Sequence, residues 1–152
     1  MGPRPSERIA GIDFGTVRIG IAMADLSVGI ASPCETYVRR NQQADAGFFT
    51  SLAREERLSR FIVGLPVHLS GDESQKSREA RKFGAWLQKI TGLPVQFFDE
   101  RFTSTEAEQK LQAAGLTKKR RRARIDQLAA QIMLTAYLEA GGRDSDAPDS
   151  LG

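Results

Sequence analysis

The chain is poor in the residues that usually mark a reactive site. It has one cysteine, Cys34, and one histidine, His68, in 152 residues. A lone cysteine excludes an intramolecular disulfide and any multi-cysteine zinc site, and the default setting for such a chain is the cytoplasm. No apolar run approaches the ~18 residues that a membrane span needs. The opening Met1-Gly2-Pro3-Arg4-Pro5-Ser6 lacks the apolar core of a secretory signal. Gly2 and Ser6 fit the loose N-myristoylation pattern, but the prolines mark residues 1–7 as a flexible leader. There is no internal repeat. The end of the chain, 141–152, is rich in Gly, Asp and Ser and reads as a disordered tail.

What is present is the composition of a soluble globular protein, 40% hydrophobic and 27% charged. The length suits one domain, expected over 8–140. Net charge is only +3, but its distribution is uneven. Lys118, Lys119, Arg120, Arg121, Arg122 and Arg124 crowd into a single short stretch. Removing these six positive charges would turn the net charge from +3 to −3. The plain reading is a solvated loop beside a helix. The density of the run favours a contact surface for a polyanion.

Apolar patterning predicts strands over Arg8–Phe14 and Arg18–Ala24, joined at Gly15-Thr16 as an antiparallel hairpin. A third strand is expected over Ile30–Arg39, with Pro33 placing it at an edge or a bend. Helical spacing follows over Ala44–Leu58, then a short buried strand over Arg60–Gly64. Residues 66–73 read as a polar loop holding His68. A long helix is expected over Ser74–Ile90, with Ala80, Phe83, Leu87 and Ile90 on one face. Val95–Phe98 reads as another buried strand. Thr103 and Glu106 form a capping box that opens a helix to Ala114. After the basic run, Ile125–Ala140 reads as a last helix, with Leu128, Ala129, Ile132 and Ala136 in a stripe widened by Ala130, Met133 and Tyr137. The order implies an α/β fold, a mixed sheet with helices on its faces. Cys34 reads as a small buried filler and Trp86 as packing.

The chemistry lies in carboxylates. Asp13 sits inside the apolar segment Gly11-Ile12-Asp13-Phe14-Gly15, where an unpaired charge is costly. Asp99 and Glu100 end the last strand, and Asp126 is expected in the first turn of the last helix. If the first and last strands are neighbours, Asp13 and Glu100 meet at the strand ends, the usual site of an α/β sheet. The final helix would bring Asp126 to them. Three carboxylates need positive charge between them. Oxygen-only ligands suit Mg²⁺ or Mn²⁺, and two such ions about 4 Å apart would support phosphodiester hydrolysis. Plainer roles stand beside these. Asp13 can cap the turn, Asp99 or Glu100 can pair with Arg101, and Asp126 can be an acid favoured early in a helix. Arg18 and Arg101 can hold a phosphate or make ion pairs.

Taken in order, these motifs resemble one family. Gly11-Ile12-Asp13-Phe14-Gly15 with Arg18, Gly20 and Ala22 is followed by Val63-Gly64-Leu65-Pro66 and Gly71. Asp99-Glu100-Arg101-Phe102-Thr103-Ser104 comes next, then Ile125-Asp126 with Ala129 and Ala130. The pattern, from about Arg8 to Ala140, is similar to the YqgF/RuvX family of Holliday junction resolvases or precursor 16S ribosomal RNA nucleases. The resemblance implies an RNase H-like five-stranded mixed sheet with helices on both faces. It implies a metal-dependent endonuclease in which Asp13, Glu100 and Asp126 bind Mg²⁺ or Mn²⁺, with Asp99 as rival to Glu100. Its substrates would be structured RNA or branched DNA, held by Arg18, Arg101 and the basic run. RuvC-type sites usually carry a fourth acid near the third. Here none follows Asp126 on the helix until Glu139, and a weak cage would favour Mn²⁺. Paired cuts in a junction suit a homodimer, and trimming of RNA needs only a monomer.

Two other classes compete. Asp13-Phe14-Gly15-Thr16 also resembles the first phosphate motif of sugar kinases and actin-like ATPases, but the chain supplies one such domain and no second glycine-rich loop. A non-catalytic nucleic-acid-binding module would explain the basic run. It would not explain clustered acids, which repel a polyanion unless metals intervene.

Overall fold

The structure, a computed structural model, describes residues 7–66, 74–99 and 118–141, with side chains from 124 onward in the last segment. Residues 1–6 of the expected leader, residues 67–73 with His68, the expected Thr103–Ala114 helix and the tail from 142 lie outside the described residues. Among the described residues no helix is long and apolar enough to cross a membrane.

Five strands form one sheet in the order β3-β2-β1-β4-β5. β1 (Arg8–Asp13) and β2 (Arg18–Asp25) make the expected antiparallel hairpin. β3 (Ile30–Val38) is an edge strand, and its register against β2 shifts beside Pro33. Proline has no N–H to give a ladder, so an edge with a bulge is where it fits. β4 (Leu58–Leu65) lies parallel to β1, and β5 (Val95–Asp99) lies parallel to β4. This is the mixed sheet of an α/β fold.

Helix α1 (Gln42–Glu55) starts two residues earlier than the spacing suggests. Asn41 sets the start, its side chain accepting from the Ala44 N–H at 2.8 Å. Leu58 belongs to β4 rather than to α1. Helix α2 (Gln75–Thr91) is capped by Ser74, whose hydroxyl and that of Ser77 satisfy each other's backbone. Helix α3 runs over Lys118–Glu139.

The sheet separates two cores. On one face Phe49 and Leu52 of α1, with Ala80, Phe83 and Leu87 of α2, pack on Ala10, Ile12, Ile19, Ile21, Phe61 and Val63. On the other, Ala130, Met133, Leu134 and Tyr137 of α3 pack on Ile9, Ala22, Ala24, Ala31 and Ile62. Each large side chain fully removed from water contributes about 1.5–3 kcal/mol. Trp86 packs against the first core, as expected, and Cys34 is half-buried at its margin. The buried stripe of α3 differs from the expected one. Ala130, Met133, Leu134 and Tyr137 are its centre, while Leu128, Ile132 and Ala136 are only half-buried. A nearly all-round apolar helix leaves its facing side undetermined by periodicity alone.

Candidate active site

Parallel pairing of β1, β4 and β5 brings their carboxyl ends to one edge, ending at Asp13, Leu65 and Asp99. The chain order reverses at β1, which makes that edge the expected crevice of an α/β sheet.

Period-two alternation assigns each acid to a face. Ile12 is paired with Val63, and both belong to the core beneath α1 and α2. Asp13, the next residue, therefore stands on the α3 face. Its partner across the hairpin is Gly20. A Cβ at Gly20 would collide with the backbone carbonyl of Asp126. The absence of a side chain there lets α3 lie directly on β2, which brings Asp126 over the strand next to Asp13. Gly11 helps in the same way about two turns further on, where a Cβ would lie 3.0 Å from Leu134 Cβ. Two motif glycines thus act as the seat of a helix.

Arg18 lies on the same face, two residues before Gly20. Its Nε donates to Asp126 Oδ2 at 2.9 Å, with the two side chains 33% and 19% exposed. Asp126 thus stands in a partly dry position with a cation already beside it. Asp13 also has an interaction partner within the fold.

The last strand is placed differently from the sequence-based expectation. β4 lies between β1 and β5, so the first and last strands are not neighbours. Phe61, Ile62 and Val63 are each fully buried, and such a run belongs in the middle of a sheet with both faces covered. At a strand spacing of ~4.8 Å, the axes of β1 and β5 are roughly 10 Å apart. Asp99 is paired with Leu65, a member of the α1/α2-side core. It therefore stands on the face opposite Asp13. Phe98 faces α3, edge-on to Tyr137 with ring centroids 5.9 Å apart. Glu100 and Arg101 lie outside the described residues. Among the described residues no three His, Cys, Asp or Glu side chains group as a metal site.

The basic run is also corrected. Lys118, Lys119, Arg120, Arg121, Arg122 and Arg124 occupy the first turns of α3 rather than a loop before it. Lys, Arg and Ala are strong helix formers, and nothing in Lys118–Arg124 breaks a helix. Asp126 accordingly lies in the third turn, not the first, and the first turn has no acid. Its reading as an acid favoured near a helix start therefore falls.

A buried carboxylate that periodicity did not single out is Asp45, in the first turn of α1 and 2% exposed. It accepts from Tyr37 Oη at 2.6 Å, the Arg40 N–H at 3.0 Å and Arg39 Nε at 3.3 Å. Burial pushes its pKa up, but these hydrogen bonds and the Arg39 charge outweigh that and hold it below its ordinary value. Its partners lie in β3 and the turn after it, so no spacing within α1 would have revealed it.

Residues 7–140 match the family model described as "RuvX: Holliday junction resolvase". A Rhodopirellula baltica protein named "Putative pre-16S rRNA nuclease" is 47% identical over 133 residues, covering 88% of this chain and 77% of that protein. A Koribacter versatilis protein of the same name is 40% identical over 141 residues, 93% of this chain and 92% of that one. Among solved structures, Thermus thermophilus RuvC in complex with a Holliday junction superposes with a TM-score of 0.54 at 14% identity, covering 91% of this chain and 98% of that one. The fowlpox virus resolvase with Holliday junction DNA gives 0.54 at 10% identity, over 90% and 99%. At such identities these two likenesses show the fold alone, that of the RuvC-type, RNase H-like resolvases.

Proposed function

Because this chain belongs to the RuvX family, we propose that it is a metal-dependent endonuclease that hydrolyses phosphodiester bonds in structured nucleic acid. The carrying observation is the convergence of Asp13 and Asp126. Gly20 pairs with the first and carries the backbone of the second, so two carboxylates from distant parts of the chain share one face at one strand end.

The donor set fits a hard divalent cation. Asp13 and Asp126 offer only oxygen ligands, as Mg²⁺ and Mn²⁺ require, and Arg18 engages Oδ2 of Asp126. Glu100 is the third ligand in this reading. It follows Asp99, whose place on the opposite face disfavours it as a ligand. Bound there, a pair of divalent ions would help activate a water and stabilise the leaving oxygen. The protein's own residues would orient the strand. Arg18 holds Asp126 in place and presents its remaining guanidinium N–H groups to a phosphate. Arg101 and the six basic residues from Lys118 to Arg124 bind the flanking backbone.

Relatives up to 47% identical carry the ribosomal RNA name, which ranks a precursor 16S end ahead of a four-way DNA junction as substrate. The test is cleavage of both, with matched single and double strands, by wild type and Asp13→Asn in Mg²⁺ or Mn²⁺. Loss of an outer-layer partner of a metal ligand typically costs about 10–100-fold. Asp13→Asn should therefore lower cutting by more than that while binding persists, and chelation should do the same. Equal binding by both proteins with no metal-dependent cutting by either would leave a binding module instead.

A further inference from the structure

A cavity of about 730 Å³ lies on the other side of the sheet from Asp126, beneath the hairpin turn that follows Asp13. Its apolar wall is Phe14, Phe83 and Trp86. Phe14 and Phe83 are 4.7 Å apart between centroids, and Phe83 and Trp86 are 5.5 Å apart. Its cationic side is Arg39, Arg40 and Lys82. The Arg39 guanidinium lies over the Phe14 ring, 5.2 Å from its centroid. Two acids also line it. Asp45 is held by Tyr37, Arg39 and the Arg40 N–H, so its charge is met within the fold. Glu79 is the other, and it accepts from Gln75 Nε2 at 3.3 Å.

We propose that this cavity receives an unpaired base of the substrate strand, next to the phosphate cut at Asp13 and Asp126. The proposal rests on the nuclease reading of that site. Phe83 is a core residue that backs the wall and Arg39 is engaged by Asp45, so the half-buried rings of Phe14 and Trp86 and the exposed cations of Arg40 and Lys82 are what remain for a nucleotide, whose base has a π face and whose phosphate has a negative charge. The position is equally suited. Asp13 and Phe14 are adjacent in sequence at the end of β1, and they stand on opposite faces of the sheet. A strand that crosses this edge over the Gly15-Thr16 turn passes from one to the other. The turn is anchored, because the Arg39 N–H donates to the Val17 carbonyl at 2.9 Å. A duplex keeps its base faces hidden in the stack, so the occupant that suits an aromatic wall is an unpaired nucleotide.

Trp86 is the only tryptophan in the chain, so its fluorescence reports the cavity directly. Single-stranded octanucleotides, ribo and deoxyribo, would be titrated into the full-length protein in chelator, beside abasic octamers of equal charge. Anisotropy of an end label would follow total binding. The expected result is saturable quenching of Trp86 by base-bearing strands of either sugar, with affinity roughly tenfold above that of the abasic strand. Lys82→Ala combined with Arg40→Ala should weaken the quenching-monitored affinity roughly tenfold as well. The wild-type comparison of intact and abasic strands needs no variant to fold. Binding seen by anisotropy without a change in Trp86, or equal quenching by abasic strands, would overturn the cavity proposal and leave the nuclease reading standing. Absence of any binding, together with absence of cleavage, would overturn both.

Discussion

Gly20 shows how a single missing side chain can bring two distant carboxylates to one place. Its neighbour across the sheet is one carboxylate, and the backbone resting on it belongs to another. Gly20→Ala should force α3 away from β2. Overpacking of this kind costs about 1–3 kcal/mol, which for a domain of this size corresponds to a fall in Tm of roughly 2–12 °C. Cleavage should fall further than the loss of folded protein explains, because the displaced residue is Asp126. Gly47 provides the contrast. It is exposed on α1 with no atom within 4 Å of an added Cβ, so Gly47→Ala should raise stability by about 0.5–1 kcal/mol. Paired thermal melts would check the opposite signs, and equal shifts would refute the seat. Asp13 was legible in the sequence because a charge in an apolar strand is costly. Asp126 was less so, since an acid on a helix is ordinary. What makes it exceptional is the glycine beneath it, 106 positions earlier in the chain, a pairing that no local window contains.

Helix α1 and strand β3 are joined by a polar clasp centred on Asp45, and its chemistry sets a pH dependence. Burial raises the Asp45 pKa, but the Tyr37 hydroxyl, the Arg40 N–H and Arg39 bring it below the ordinary 3.8. Tyr37 is shifted upward, by burial first and then by its hydrogen bond to Asp45. A carboxyl whose folded pKa is depressed stabilises the fold above its unfolded pKa. That contribution is lost as pH falls through the folded value. Asp45→Asn should therefore be less stable than wild type near neutral pH, by roughly 1–3 kcal/mol for a disrupted buried network. The gap should narrow once pH drops below the unfolded pKa. Denaturant midpoints of both proteins from pH 7 to pH 2.5 would measure it, and a gap independent of pH would show that the charge of Asp45 is immaterial. Elements themselves were largely legible, because the alternation in β1 and β2 and the stripe on α2 are direct images of one-sided burial. Boundaries set by side-chain caps, such as Asn41, and the face of α3 were less so. The neighbour of β1 was not legible either, because strand order depends on which run can tolerate burial on both faces.

Across the whole molecule, charge and burial are divided between the two faces and one end. The basic run that reverses the net charge from −3 to +3 lies within the first turns of α3, the helix that also carries Asp126. In the proposed nuclease reading, a rigid helix would fix the distance between these cations and the carboxylate site, which a loop would not. Had the run been a loop, its charges would attract nucleic acid without setting where it is cut. Replacing Arg120, Arg121 and Arg122 by Gln should therefore have two separable effects. Affinity for every nucleic acid should fall, and the slope of log affinity against log salt should flatten by about 0.7–0.9 for each phosphate no longer neutralised. The position of the cut should also blur, since the strand would be held by fewer points along one axis. Binding isotherms at several salt concentrations would read the first effect, and mapping of product ends would read the second. A flattened slope with unchanged cut sites would assign the run to attraction alone and leave positioning to Arg18 and the cavity beneath the hairpin turn. An unchanged slope would remove the run from the interface altogether and leave the polyanion to Arg18, Arg101, the cavity cations and bound metal.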